Sequence, residues 1–181
     1  STPLYSSAAS DVYKRQWQFN GPLNLSSARL EQDNLKPQGW RLQGQATVAG
    51  SAGTLRGKLS NDSELQLDLA ASLDENHDLQ LKATLGELFL RSGNPLAKTL
   101  VQWPELLDLN SGRLNADASL ALAAGSNAPS LDLNLTGKGL GGIYDRTELS
   151  GVDTLLQFQL ARQRFELYVH CLLYTSDAAD E

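Results

Sequence analysis

The chain has 181 residues, with 15 Lys and Arg against 21 Asp and Glu, and its formal net charge is −6 at pH 7. An acidic balance with both signs interspersed offers no electrostatic footprint for nucleic acid, and a single cysteine, Cys171, builds neither a disulfide framework nor a thiolate metal site. No apolar run approaches the roughly 18 residues that read as a membrane-spanning helix.

In chain order, the first segment is not expected to be protein-like at all. Residues 6–16, SSAASDVYKRQ, are codon by codon the translation of a transposase library adapter, and residues 1–5 fit the arm that precedes it. Residues 171–181, CLLYTSDAADE, read as the reverse complement of the same adapter. Both ends, 1–16 and 171–181, are therefore expected to carry no fold or function, which confines the reading to 17–170 as an internal piece of a longer β-domain. Cys171 falls in the trailing segment, so the remaining span is cysteine-free.

Within 17–170 the dominant signal is period two, which places alternate side chains on opposite faces of a strand. Weak alternation begins around Leu23 and Leu25, continues over 40–48 and 55–59, and becomes strict in Leu65-Gln66-Leu67-Asp68-Leu69 and in Leu79-Gln80-Leu81-Lys82-Ala83-Thr84-Leu85. It resumes from Leu114 through Leu120 to Leu122, in Leu131-Asp132-Leu133-Asn134-Leu135, in Leu156-Gln157-Phe158-Gln159-Leu160, and more weakly from Phe165 to Val169. Turn-forming clusters separate these runs, among them Ser60-Asn61-Asp62-Ser63, Asp74-Glu75-Asn76-His77 and Asn110-Ser111-Gly112. Short connections between successive strands predict an antiparallel meander. One segment departs from the pattern. Asn94-Pro95 reads as a helix cap with a first-turn proline, and Leu96, Ala97, Leu100 and Val101 form one helical stripe, so a short connector helix is expected near 95–102, ending before Pro104.

Leucine fills almost every apolar position of these strands and Ile143 is the only isoleucine, although strands usually favour β-branched residues. A one-sided apolar sheet must cover that face, since each leucine left wet forfeits roughly 1.5–3 kcal/mol. One short helix is too little cover. Closure, a curled groove, a second sheet or an external apolar partner remain as solutions. An outer-membrane barrel shares the alternation, but its aromatic girdles are missing and several strands look too short to span a bilayer. A two-sheet sandwich would give the same periodicity with no ligand.

Polar motifs give little chemistry. Gly137-Lys138-Gly139-Leu140-Gly141-Gly142 satisfies G-x-G-x-x-G, yet residues 143–149 directly after it read as strand rather than helix, and glycines inside a strand mark a bulge or bend. Asp74, Glu75, His77 and Asp78 form an acidic cluster with one imidazole, expected to be a solvated turn. Asp68, Asp117 and Asp132 sit at outward strand positions. Sequons begin at Asn24, Asn61 and Asn134 and read as coincidental. No catalytic residue, metal site or cofactor is expected, and the chain does not read as an enzyme.

Two stretches carry a resemblance. Trp103-Pro104-Glu105-Leu106-Leu107-Asp108-Leu109-Asn110-Ser111-Gly112-Arg113-Leu114 is one, and Gly139-Leu140-Gly141-Gly142-Ile143-Tyr144-Asp145 followed by Leu149-Ser150-Gly151-Val152-Asp153 is the other. They resemble the C-terminal half of YdbH-type proteins, AsmA-like envelope proteins of Gram-negative bacteria whose region once carried a "dicarboxylate transport" label. The resemblance implies a long, curled β-groove, a β-taco, that conducts phospholipid across the periplasm. It implies anchoring in the inner membrane by an N-terminal helix outside this piece, and a small outer-membrane lipoprotein as a partner. On that basis Leu65, Leu67, Leu69, Leu79, Leu81, Leu114, Leu120, Leu122, Leu131, Leu133, Leu135, Leu156, Phe158 and Leu160 are expected to line a trough for acyl chains. The alternative is a structural or binding β-domain of the envelope whose leucines form its own core.

Overall fold

The computed structural model describes residues 18–161 and 164–173. The alternating segments each become one strand: β1 (Gln18–Gln32), β2 (Leu35–Ala49), β3 (Ala52–Asn61), β4 (Gln66–Leu73), β5 (Leu79–Phe89), β6 (Leu107–Leu122), β7 (Ser130–Tyr144), β8 (Thr147–Ala161) and β9 (Arg164–Leu173). They form a single nine-stranded sheet in the order of the chain, and every neighbouring pair is antiparallel. β1 and β9 are its two edges, so among the described residues the sheet does not close on itself. The all-β meander read from the alternation is therefore present. A sandwich is not: the described strands belong to one sheet, with no second sheet laid on it.

The strands are longer than their alternating cores, running from 8 residues in β4 to 16 in β6. Residues rich in Gly, Ser and Asn at the strand ends carry no hydrophobic period, yet their backbone groups still enter the ladder because an unpaired amide costs more than a poor propensity. Shortness thus ceases to argue against a membrane barrel. Among the described residues β1 and β9 do not pair with one another, as the last and first strands of a closed barrel do.

In a meander the connections alternate between the two lateral edges of the sheet. The β1–β2, β3–β4, β5–β6 and β7–β8 connections share one edge, and the β5–β6 connection, residues 90–106, is the longest of them. It opens with a 3-10 turn (Leu90–Ser92) and continues into the only α-helix of the described residues, α1 (Pro95–Thr99). Asn94 caps α1 as its sequence suggested, its side-chain oxygen accepting from the Ala97 amide at 3.2 Å. The helix is shorter than the expected 95–102. Leu100 adopts extended geometry, φ −90° and ψ 125°, and forms a lone antiparallel bridge to Leu35 at the start of β2. That bridge ends the helix before the proline can.

The connector turns back along this edge, crossing the ends of β3 and β4 to reach β2, and the tightly packed core lies beneath it. Leu90, Leu109, Leu114 and Leu140 form one buried cluster, with Leu88, Leu96 and Trp103 packed against it. Trp40, Leu65 and Leu85 form a second, with Leu35, Leu59, Leu67 and again Leu88 and Leu96 around it. Leu96 of α1 thus joins the two. The glycine-rich run near the same edge is a bulged part of β7, as its position inside a strand pattern implied: the β7–β8 register shifts between Gly137 and Leu140 and again before Gly142. On the facing strand Gly112 has φ +91°, and a Cβ there would stand 2.5 Å from the Gly139 carbonyl oxygen, so the two backbones approach at a spacing that only glycine permits. Bulges increase local twist and bend the sheet.

Candidate functional site: an open leucine lane

Cross-strand register decides which side chains share a face, because residues directly opposite one another lie on the same side of the sheet. Leu25 opposes Leu42, Leu42 opposes Leu59, and Leu59 opposes Leu67. The next row runs Gly57, Leu69, Ala83, Ala118, Leu133, Phe158 and Leu167. Beside it lies Ala71, Leu81, Leu120, Leu131 and Leu160, with Leu73, Leu79 and Leu122 beyond. Toward the covered edge, Leu85, Ala116, Leu135, Leu156 and Val169 form a further row, and Leu114 stands next to it opposite Gly137. The trough candidates within these strands therefore fall on a single face that continues through the sheet, a distance of about 38 Å at ~4.8 Å per strand spacing. Leu65 precedes β4, in phase with Leu67 and Leu69.

Burial divides the candidates in two. Leu65 and Leu114 are 4% and 3% exposed, enclosed in the clusters under the connector. Leu67, Leu69, Leu79, Leu81, Leu120, Leu122, Leu131, Leu133, Leu135, Leu156, Phe158 and Leu160 are only half-buried. Nothing in the described residues is layered over them away from that edge. Their partial burial comes from one another, and the opposite face shows why. There the row Gln43, Lys58, Asp68, Thr84, Asp117 is exposed throughout, including the Asp68 and Asp117 read as outward; Asp132 is exposed as well. The central leucine rows are thus more buried than the polar row behind them, and their side of the sheet is here termed the inner face.

Small residues give this face relief. Ala83 and Ala118 oppose one another between the Leu81–Leu120 and Leu85–Ala116 pairs, so the floor dips across β5 and β6 with leucine ridges on one flank. A furrow lined by methyl and isobutyl groups can exchange water for hydrocarbon.

The polar features sit elsewhere. The acidic cluster is the β4–β5 turn: the Asp74 side chain accepts from the Asp78 amide at 2.9 Å and the Asp74 carbonyl from the His77 amide at 3.0 Å, with His77 at φ +66°. Asp78 in turn accepts from the Ala124 amide at 2.8 Å. These carboxylates are accounted for by turn geometry. Two surface hollows are lined in part by charged side chains, one by Arg56, Lys58, Asp68 and Lys82 together with Leu69 and Ala70, the other by Glu87, Arg113, Asn115, Thr136 and Lys138 with Leu114. Glu87 and Arg113 pair across it at 2.9 Å, both half-exposed, a geometry that contributes little to stability. Asn61 is buried at 2% exposure, its amide oxygen accepting from two backbone amides and its nitrogen donating to Thr99, so the sequon that begins there lies inside the fold.

Sequence reasoning gave no role to Trp40 or Thr99 and read Asn61 only as a turn residue and a coincidental sequon. Trp40 lies on the inner face by its pairing with Asn61, is 8% exposed, and its indole nitrogen has no hydrogen-bond partner. Asn61 donates to the Thr99 hydroxyl at 2.8 Å and accepts from the Ser63 and Leu65 amides, each at 3.0 Å. Thr99 donates onward to the Pro95 carbonyl at 2.7 Å. The available signal was a polar residue in phase with an apolar run: Asn61 comes after Leu55, Gly57 and Leu59 at period two.

Comparison with known proteins gives a family match. No curated protein and no solved structure matches the chain. The family model described as YdbH-like, intermembrane phospholipid transport protein YdbH, matches residues 8–172, a span that takes in every described strand apart from the last residue of β9. An unclosed antiparallel meander with a leucine-lined inner face, matched over nearly its full length in this way, belongs to the YdbH-like family of intermembrane phospholipid transport proteins.

Proposed function

We propose that the leucine lane is the seat of phospholipid acyl chains, and that residues 17–170 are part of a conduit passing phospholipid between the inner and outer membranes of a Gram-negative envelope. The observation that carries this reading is the inner face itself: apolar, in register through the sheet, and covered only along one edge. A face of that kind exposed to water is unstable unless something apolar occupies it. Hydrocarbon chains supply about 0.8 kcal/mol per buried methylene, so many weak contacts hold a lipid without any decisive residue, and a chain can slide by exchanging one leucine for the next. The described residues contain no helix long and apolar enough to cross a membrane. On this reading the inner-membrane anchor and the outer-membrane contact, a small lipoprotein included, belong to other parts of the conduit.

Charge on the lane tests the idea. Leu120→Lys and Leu133→Lys, placed together in the intact parent protein, are expected to abolish lipid transfer between membranes while leaving the β-sheet circular dichroism unchanged. The two positions lie in adjacent rows near the middle of the face. Transfer at the normal rate by a folded double variant overturns the assignment.

A further inference from the structure

We infer that the indole N–H of Trp40 recognises the ester linkage of a phospholipid, donating to an acyl carbonyl oxygen of a lipid whose chains lie in the lane. The inference rests on the acyl-chain reading above and adds to it a fixed point for the polar end of the cargo.

An indole N–H can only donate, and it has one proton to place. Among the described residues Trp40 Nε1 is the buried side-chain polar atom without a partner, and native proteins seldom keep such an atom without a reason. Its surroundings are otherwise satisfied. Trp103, at the same edge, donates from its own indole to the Leu107 carbonyl at 2.9 Å, and the neighbouring Asn61 uses both ends of its amide.

Position restricts the chemistry of an acceptor that could pair with it. On one side of Trp40 the inner face continues into Leu42, Leu59 and Leu67. On the other lies a polar turn, where the Gln38 side chain accepts from the Ser63 hydroxyl at 2.6 Å and the Gly39 amide donates to Asp62 at 2.8 Å. Trp40 therefore marks the boundary between a hydrocarbon surface and a wet rim, the setting in which indoles are favoured. A diacyl phospholipid has the same sequence along its length: hydrocarbon, then uncharged ester carbonyls that accept only, then a charged head. With chains on the lane, the esters fall at Trp40 and the head emerges at the rim. A free carboxylate is a poorer fit, because its charge would have to be desolvated under apolar cover. A lipid would reach the indole by displacing α1, whose Leu96 packs against the cluster that holds Trp40. The helix is held from the sheet by the Asn61–Thr99 bond and by exposed hydrogen bonds from Lys36 to the Ala97 carbonyl at 2.8 Å and from Gln38 to the Lys98 carbonyl at 3.3 Å.

The test compares diacyl phosphatidylethanolamine with its dialkyl ether analogue of equal chain length, in equilibrium binding to the purified chain. The ester lipid is expected to bind roughly 5- to 10-fold more tightly, the effect of about one net hydrogen bond, and Trp40→Phe is expected to bind both lipids with the affinity of the ether. A second measurement needs no variant: in isotope-labelled protein the Trp40 indole proton resonance should move downfield with the ester lipid and not with the ether. Equal affinities in the native chain with no resonance shift overturn the subsite and leave the lane standing. Failure of both lipids to bind overturns the lane, and the subsite with it.

Discussion

Asn61 and Thr99 form a polar contact in surroundings otherwise built from leucine, and they show how single residues govern the covered edge. Their side chains are 2% and 1% exposed. Asn61 ties the β3–β4 turn by accepting two amides, then reaches across to α1. Thr99→Val keeps the shape and removes the hydroxyl, leaving the Asn61 amide donor buried without a partner. The expected loss is about 1–3 kcal/mol, read as a lower urea midpoint with an unchanged slope, and Thr99→Ser should restore most of it. At this scale the sequence was legible for leucine and opaque for Trp40. A leucine in an alternating run declares its face through its neighbours, whereas the indole's missing partner depends on a helix some sixty positions away in the chain, as the Gln38 contact to Lys98 does.

Among the elements, the connector departs furthest from what its residues alone suggest. Asn94 and Pro95 announced the start of α1 correctly. Its end was hidden, because the apolar stripe Leu96, Ala97, Leu100, Val101 fits a helix and the competing bridge from Leu100 to Leu35 is a tertiary pairing. Leu100 and Val101 are exposed, so only the first half of the stripe packs. Strand ends were obscured for a related reason: Gly, Ser and Asn there pair through backbone groups, which leave no hydrophobic period to read. Asn94→Ala removes the cap and should cost about 1 kcal/mol, borne by the connector rather than the sheet. Hydrogen exchange is the appropriate measurement, with amides of 97–100 expected to exchange about fivefold faster while those in the middle of β6 and β7 hold their rates.

At the scale of the described sheet, its outer strands govern how the isolated chain behaves. β1 presents 15 residues of strand with Phe19 and Leu25 exposed at 51% and 56%, and unpaired strand edges of this kind template association. The isolated chain should therefore self-associate with rising concentration, visible by analytical sedimentation, and Phe19→Lys with Leu25→Lys should shift the equilibrium toward monomer. A monomer at all concentrations in the native chain would show that the edge is protected. The alternation in the sequence foretold the meander and its one-sided face, but not the edge-bound core, which arises only when residues 90–106 fold back over the sheet.

The unbroken correspondence between position in the chain and position in the sheet has a consequence for growth. Each strand hydrogen-bonds only to its predecessor and successor, so away from the core under the connector cohesion accumulates step by step, as it does in solenoids. Duplicating one hairpin would lengthen such a protein by about 9–10 Å and disturb nothing beyond the two seams it creates. On the proposed function, reach across a gap between membranes becomes a quantity that gene duplication can adjust in small increments, with the greasy floor extended at each addition.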